Sequence, residues 1–147
     1  MPTLETIAVP EAALNELRAL YRELTTEMES YRRHCEMRGH CCDFAYVGHM
    51  LYLTTLEAAE MARCGEQPQP ELAAEGKCPY LRGNVCGARD NRAIGCRLYY
   101  CDSTYEEQRN ALCEKYLRRA REIEARYGIP HNYQPVVYVN FEAFKQP

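Results

Sequence analysis

The sequence predicts a mainly α protein: a small single domain in which two long helices flank irregular cysteine-rich metal-binding loops. Three observations predict it. Apolar residues recur at three- and four-residue steps near both ends of the chain. Nine cysteines occur in 147 residues, and seven of them fall in two clusters, 35/41/42 and 78/86/96/101. The cysteine-rich stretches themselves carry little helical or strand periodicity, so something besides an apolar core must hold them. All of residues 1–147 read as one cysteine-cluster metal-binding domain, with its cysteine-rich core at 35–101 and flanking helices at about 11–34 and 103–127.

The first helix carries Leu14, Leu17, Leu20, Tyr21, Leu24, Met28 and Tyr31 on one stripe, with Glu, Arg and Thr opposite. Pro10 suits its first turn. Residues 35–42 form a cysteine-rich loop, and Phe44 to Leu53 read as extended or irregular. Thr54-x-x-Glu57 is a capping box that opens a short helix to about Cys64, with Gly65 as its stop. Residues 65–77, with Pro68, Pro70 and Gly76, form a surface loop. In the second cysteine-rich segment, 78–101, Gly83-Asn84 and Gly87 mark a tight turn between short extended pieces. Ser103-x-x-Glu106 is a second capping box, and Leu112, Tyr116, Ala120, Ile123 and Tyr127 give the following helix its stripe. Gly128-Ile129-Pro130 stops it. Val136 to Phe141 reads as a short strand or an ordered tail against the helices.

Composition narrows the function classes. Charged residues are 27% and hydrophobic ones 46%, which argues against wholesale disorder. Eighteen basic and 21 acidic residues give a net charge of −3, so no nucleic-acid partner is expected. No run of about 18 apolar residues occurs, so no membrane partner is expected either. The start, Met1-Pro2-Thr3-Leu4-Glu5, lacks a basic stretch followed by an apolar one, and a cytoplasmic location follows as the expectation. Thiols stay reduced there, and an odd cysteine count excludes complete internal pairing.

Thiolates are the soft ligands that select zinc, copper(I) or iron–sulfur clusters, and a closed site needs four of them. No Cys-x-x-Cys occurs, so the usual zinc knuckle and the thioredoxin-type redox motif are both absent. The wide spacings require the tertiary fold to assemble the site. Cys78, Cys86, Cys96 and Cys101 are the primary ligand candidates, with Cys35, Cys41 and Cys42 as further ones. An iron–sulfur cluster of the [4Fe–4S] type is the favoured occupant, and zinc is the alternative. Adjacent Cys41 and Cys42 point apart and suit different roles.

The residues Cys78-Pro-Tyr-Leu-Arg-Gly-Asn-Val-Cys86 and Arg92-Ala-Ile-Gly-Cys96-Arg97-Leu-Tyr-Tyr-Cys101 resemble the second half of the YkgJ-like cysteine-cluster family, described as zinc- or iron-chelating. The family's first half, Cys-x-x-Cys-Gly-x-Cys-Cys, is matched by Cys35-Glu-Met-Arg38-Gly39-His40-Cys41-Cys42. The helix start at Thr54–Glu57 resembles the family's intervening segment. Arg38 replaces the family's second cysteine, and Ala93 replaces a proline. The resemblance therefore implies seven of eight ligands, with His34 or His40 able to stand in for the missing one.

Cys64 and Cys113 lie outside that pattern and read as small buried hydrophobes. Arg97 beside Cys96 either stabilises thiolate charge or makes a surface ion pair. Tyr99 and Tyr100 would shield a metal from water, while Tyr21, Tyr31, Tyr116 and Tyr127 fall on core stripes. His40 before Cys41 suggests a Cys–His nucleophilic pair, but no orienting Asn or Asp motif accompanies it, and a ligand or surface role is the better account. Arg118, Arg119 and Arg121 are balanced by Glu114, Glu122 and Glu124 and read as a solvated helix face. No phosphate loop or dinucleotide fingerprint occurs. The functional expectation is a metal-binding protein in electron transfer, redox sensing or an accessory role. The alternative is a zinc-stapled module offering its long helices to a protein partner. A metal-independent thiol enzyme is the third reading, and no substrate or reaction is legible.

Overall fold

The structure, a computed structural model, describes residues 7–29, 43–44, 50–83, 85–88, 91–98 and 106–144. Its elements run α1 (Glu11–Met28), β1 (Tyr52–Thr54), α2 (Thr55–Cys64), α3 (Pro70–Ala74), β2 (Leu81–Arg82), β3 (Val85–Cys86), α4 (Ile94–Leu98), α5 (Glu106–Arg126) and β4 (Tyr133–Pro135). Two 3-10 turns follow, Val136–Tyr138 and Phe141–Phe144. The described part is mainly helical, as the periodicity predicts.

The stripe on α1 becomes the core face: Ala13, Leu14, Leu17, Leu20, Tyr21, Leu24 and Met28 are all buried. Pro10 sits one residue earlier than expected, as the extended N-cap. The stretch beyond residue 29, including Tyr31, lies outside the described residues. On α5, Leu112, Tyr116, Ala120 and Ile123 are buried. The two helices pack against each other, and ion pairs Glu16–Arg126, Glu23–Arg119 and Glu27–Lys115 show that they run antiparallel. Gly128, at φ +66°, ends α5, and the buried Ile129 returns its amide to the Glu124 carbonyl at 2.9 Å.

Helix α2 is the centre of the molecule, with every residue from Thr55 to Ala62 buried. The capping box forms as the sequence predicts: Thr54 accepts from the Glu57 amide, and the Glu57 side chain accepts from the Thr54 amide. A helix buried on all sides must satisfy its first amides internally. Glu124 of α5 does this from outside, its Oε2 accepting from the Leu56 amide at 2.9 Å. Gly65 ends α2 in an extended conformation, so its value is space. A Cβ there would meet the Met61 carbonyl at 2.7 Å and the Tyr80 ring at 2.9 Å.

Three expectations are corrected. The loop at 65–77 contains the short helix α3, made favourable by Pro70 at its first turn. The segment 78–101 contains α4, which its sparse pattern does not announce. The C-terminal strand lies at Tyr133–Pro135, and Val136–Phe141 is not a strand but the alternative, an ordered tail against the helices. The strand pairs antiparallel with β1 in the register Tyr52↔Pro135, Leu53↔Gln134 and Thr54↔Tyr133. Val136 and Phe141 instead bury themselves in 3-10 turns, which continuous pairing would not allow. Of the extended stretch Phe44–Leu53, only Tyr52 and Leu53 lie in a strand; residues 45–49 lie outside the described set, as does the capping Ser103.

Candidate metal centre

Three of the seven candidate ligands lie in the described residues. Cys78 is buried, and Cys86 and Cys96 are half-buried. Cys35, Cys41, Cys42 and Cys101 lie outside them, as do Arg38, His34, His40, Tyr99 and Tyr100. Among the described residues, no three His, Cys, Asp or Glu side chains converge on a point that could hold a metal ion.

Cys78 and Cys86 are brought together by the β2–β3 hairpin. The Leu81 amide donates to the Cys78 carbonyl at 3.0 Å, and Leu81 pairs across the hairpin with Cys86. Gly83, at φ +61°, makes the turn that lets two such short strands meet. The Gly87 amide closes the far side on the Tyr80 carbonyl at 2.7 Å. The Ala88 amide then donates to Cys86 Sγ at 3.3 Å. An amide directed at sulfur favours the charged thiolate, the form that binds metals.

Tyr80 lies between these cysteines in sequence and is fully buried, edge-on to Phe141 at 5.1 Å between centroids. Its hydroxyl has no hydrogen-bond partner among the described residues. Burial, and then the neighbouring Cys78 thiol, hold that phenol well above its ordinary pKa. An orphaned buried hydroxyl costs about 1–3 kcal/mol, and here it accompanies two candidate metal ligands.

Cys96 lies on α4. Glu57 Oε2 accepts from the Ile94 amide at 2.6 Å, which fixes the start of the five-residue helix. Arg97 follows Cys96. Its guanidinium lies 4.0 Å from the centre of the Tyr21 ring, and its Nε donates to the Arg92 carbonyl at 2.7 Å. Arg97 is thus a half-buried, stacked cation, and its burial holds its pKa below the usual arginine value.

Two readings need correction. Cys64 is exposed, not a buried hydrophobe; its Sγ lies 3.2 Å from Arg18 Nη2 and 3.4 Å from Glu60 Oε1. Glu124 is not on a solvated face but is 1% exposed, with His131 Nδ1 2.7 Å from its Oε1. The signal was present: Glu124 stands four residues after Ala120, on the buried stripe. Cys113 is half-buried, as its place beside Leu112 suggests, and it lines a cavity of about 300 Å³ with Leu98, Arg109 and Tyr133. Burial raises its thiol pKa, which makes it a poor nucleophile at neutral pH. No described helix is long and apolar enough to cross a membrane. No protein-family model matches the chain, and no curated protein or solved structure is significantly similar to it.

Proposed function

We propose that this chain is a metal-binding protein of the YkgJ-like cysteine-cluster type. Its cysteines hold an iron–sulfur cluster, [4Fe–4S], for electron transfer, redox sensing or an accessory role in a larger assembly. The observation that carries the reading is the Cys78–Cys86 hairpin: two thiols, a backbone amide on one sulfur, and the buried Tyr80 hydroxyl that has no partner among the described residues. That donor set suits a soft, sulfur-ligated group, and hydrogen bonds to ligating sulfur are a lever on its potential. Cys78 and Cys86 contribute ligands, with the remainder drawn from Cys35, Cys41, Cys42, Cys96 and Cys101. Bound there, the cluster would supply reversible one-electron chemistry and tie the loops between the helices.

The deciding experiment is purification without oxygen, followed by iron, sulfide and zinc analysis and a visible spectrum. Iron and sulfide with broad thiolate-to-iron absorption are expected. A colourless protein with stoichiometric zinc that unfolds with chelator assigns the zinc-stapled module instead. A protein with neither metal sinks both. Cys78→Ser and Cys86→Ser should each lower metal retention, whereas Cys64→Ser and Cys113→Ser should leave it unchanged.

A further inference from the structure

The cavity of about 300 Å³ that Cys113 lines lies where four elements meet. Tyr52 comes from β1, Tyr133 from β4, Leu98 from α4, and Asn110 and Cys113 from α5. Leu51, just before β1, adds to its apolar wall. The volume stands at the lower end of the range of about 300–1,000 Å³ typical of small-molecule sites.

Strand pairing sets the two tyrosines. Tyr52 pairs with Pro135 and Thr54 with Tyr133, so Tyr52 and Tyr133 sit diagonally across the ladder on one face of the sheet. Leu53, whose side chain takes the other face, is buried. The two rings stack, with centroids 5.2 Å apart and planes 21° from parallel. Stacking uses one face of each ring. The residues are still 42% and 45% exposed, so the pair presents an aromatic surface at the edge of the cavity. Such a surface favours another flat π system over a puckered apolar ring of the same size.

Asn110 and Cys113 stand three residues apart on α5 and share a face of that helix. Burial holds the Cys113 thiol above its ordinary pKa. Burial, and then the nearby Cys113, push the Tyr133 phenol up to about 12. Both groups are therefore neutral at pH 7. Asn110 adds a carboxamide that both donates and accepts. Arg109 also lines the cavity and is already engaged in an interaction of its own, so recognition falls to the neutral groups.

We propose that this cavity binds an uncharged planar aromatic molecule, of one or two fused rings, that bears a hydroxyl or carbonyl group. Its ring lies against the Tyr52–Tyr133 pair and over Leu51 and Leu98, and Asn110 meets the polar substituent.

The test is calorimetric titration of the full chain with 2-naphthol and with decahydro-2-naphthol, which keeps the carbon skeleton and the hydroxyl but has puckered rings. Saturable binding of 2-naphthol is expected, about tenfold tighter than that of the saturated alcohol. Tyr52→Leu keeps an apolar side chain at an exposed position but removes the ring, and should weaken binding about three- to tenfold. Tyr52→Phe keeps the ring and should bind like wild type. The proposal is overturned by no saturable response to 2-naphthol, by equal affinity for the saturated alcohol, or by equal affinity in Tyr52→Leu and wild type. Iron, sulfide and zinc measured on the same samples keep this site and the cysteine centre separate. A metal-loaded protein that ignores 2-naphthol sinks the cavity alone, and a metal-free protein that binds it sinks only the cluster.

Discussion

Glu57 has no exposed surface, yet its carboxylate holds two helix starts at once. Oε1 accepts from the Thr54 amide at 3.3 Å and the Thr54 hydroxyl at 3.0 Å; Oε2 accepts from the Ile94 amide at 2.6 Å. Glu57→Ala would leave those donors buried without a partner and should cost about 3 kcal/mol or more, read by urea unfolding. Glu57→Gln keeps one acceptor and should cost less. The two differ further from wild type in pH dependence. Burial raises the Glu57 pKa despite the bonds that lower it. A carboxyl with a raised folded pKa contributes its full stability below the unfolded value of about 4.3 and loses it as pH climbs through the folded value. Wild-type stability should therefore carry a decline on raising the pH from about 4 that Glu57→Gln lacks. An identical pH profile in both proteins would show that Glu57 does not titrate on folding. The capping role of Glu57 was legible because its partner is three residues away. Its bond to Ile94, and that of Glu124 to Leu56, were not: those pairs lie 37 and 68 residues apart, and no local pattern encodes them.

The α1–α5 pair separates what a helix interface owes to apolar contact from what it owes to charge. Leu24 is fully buried, whereas the three ion pairs that flank the interface are largely solvated. Leu24→Ala should destabilise by about 2–5 kcal/mol. Arg119→Ala, which removes the partner of Glu23, should cost less than about 1 kcal/mol, and that loss should vanish in high salt. A larger, salt-independent loss at Arg119 would mean that its stem packs on the Tyr116 ring, 5.4 Å from its guanidinium, more than it pairs. Both long helices were legible because their buried faces repeat over several turns. The short elements were not. Helix α4 has five residues, and its start is held by a carboxylate from another helix. Strand β4 has three residues, and its position is set by β1, some 80 residues upstream, not by its own alternation. The cysteine spacing pointed to a centre assembled by tertiary structure; the hairpin sets Cys78 and Cys86 near each other, and Cys35, Cys41, Cys42 and Cys101 lie outside the described residues.

At the scale of the molecule, the two ends of the described chain meet on α2. The Ile7 amide donates to the Ala143 carbonyl at 2.8 Å. Arg63, on the last turn of α2, donates to the Val9 carbonyl at 2.5 Å and to the Phe144 carbonyl at 3.1 Å, so one guanidinium clasps both ends. Val9, Phe141 and Phe144 are buried around it. Ile7 and Ala143 are thus held side by side. A short linker joining Phe144 directly to Ile7 would demand little of the folded state, while denying the unfolded chain the freedom of separate ends. Such a cyclised protein should gain about 2–4 kcal/mol over its linear form, seen as a higher Tm in matched buffers. The gain should fall when Arg63 is replaced in both, because the clasp is what holds the ends in place for joining.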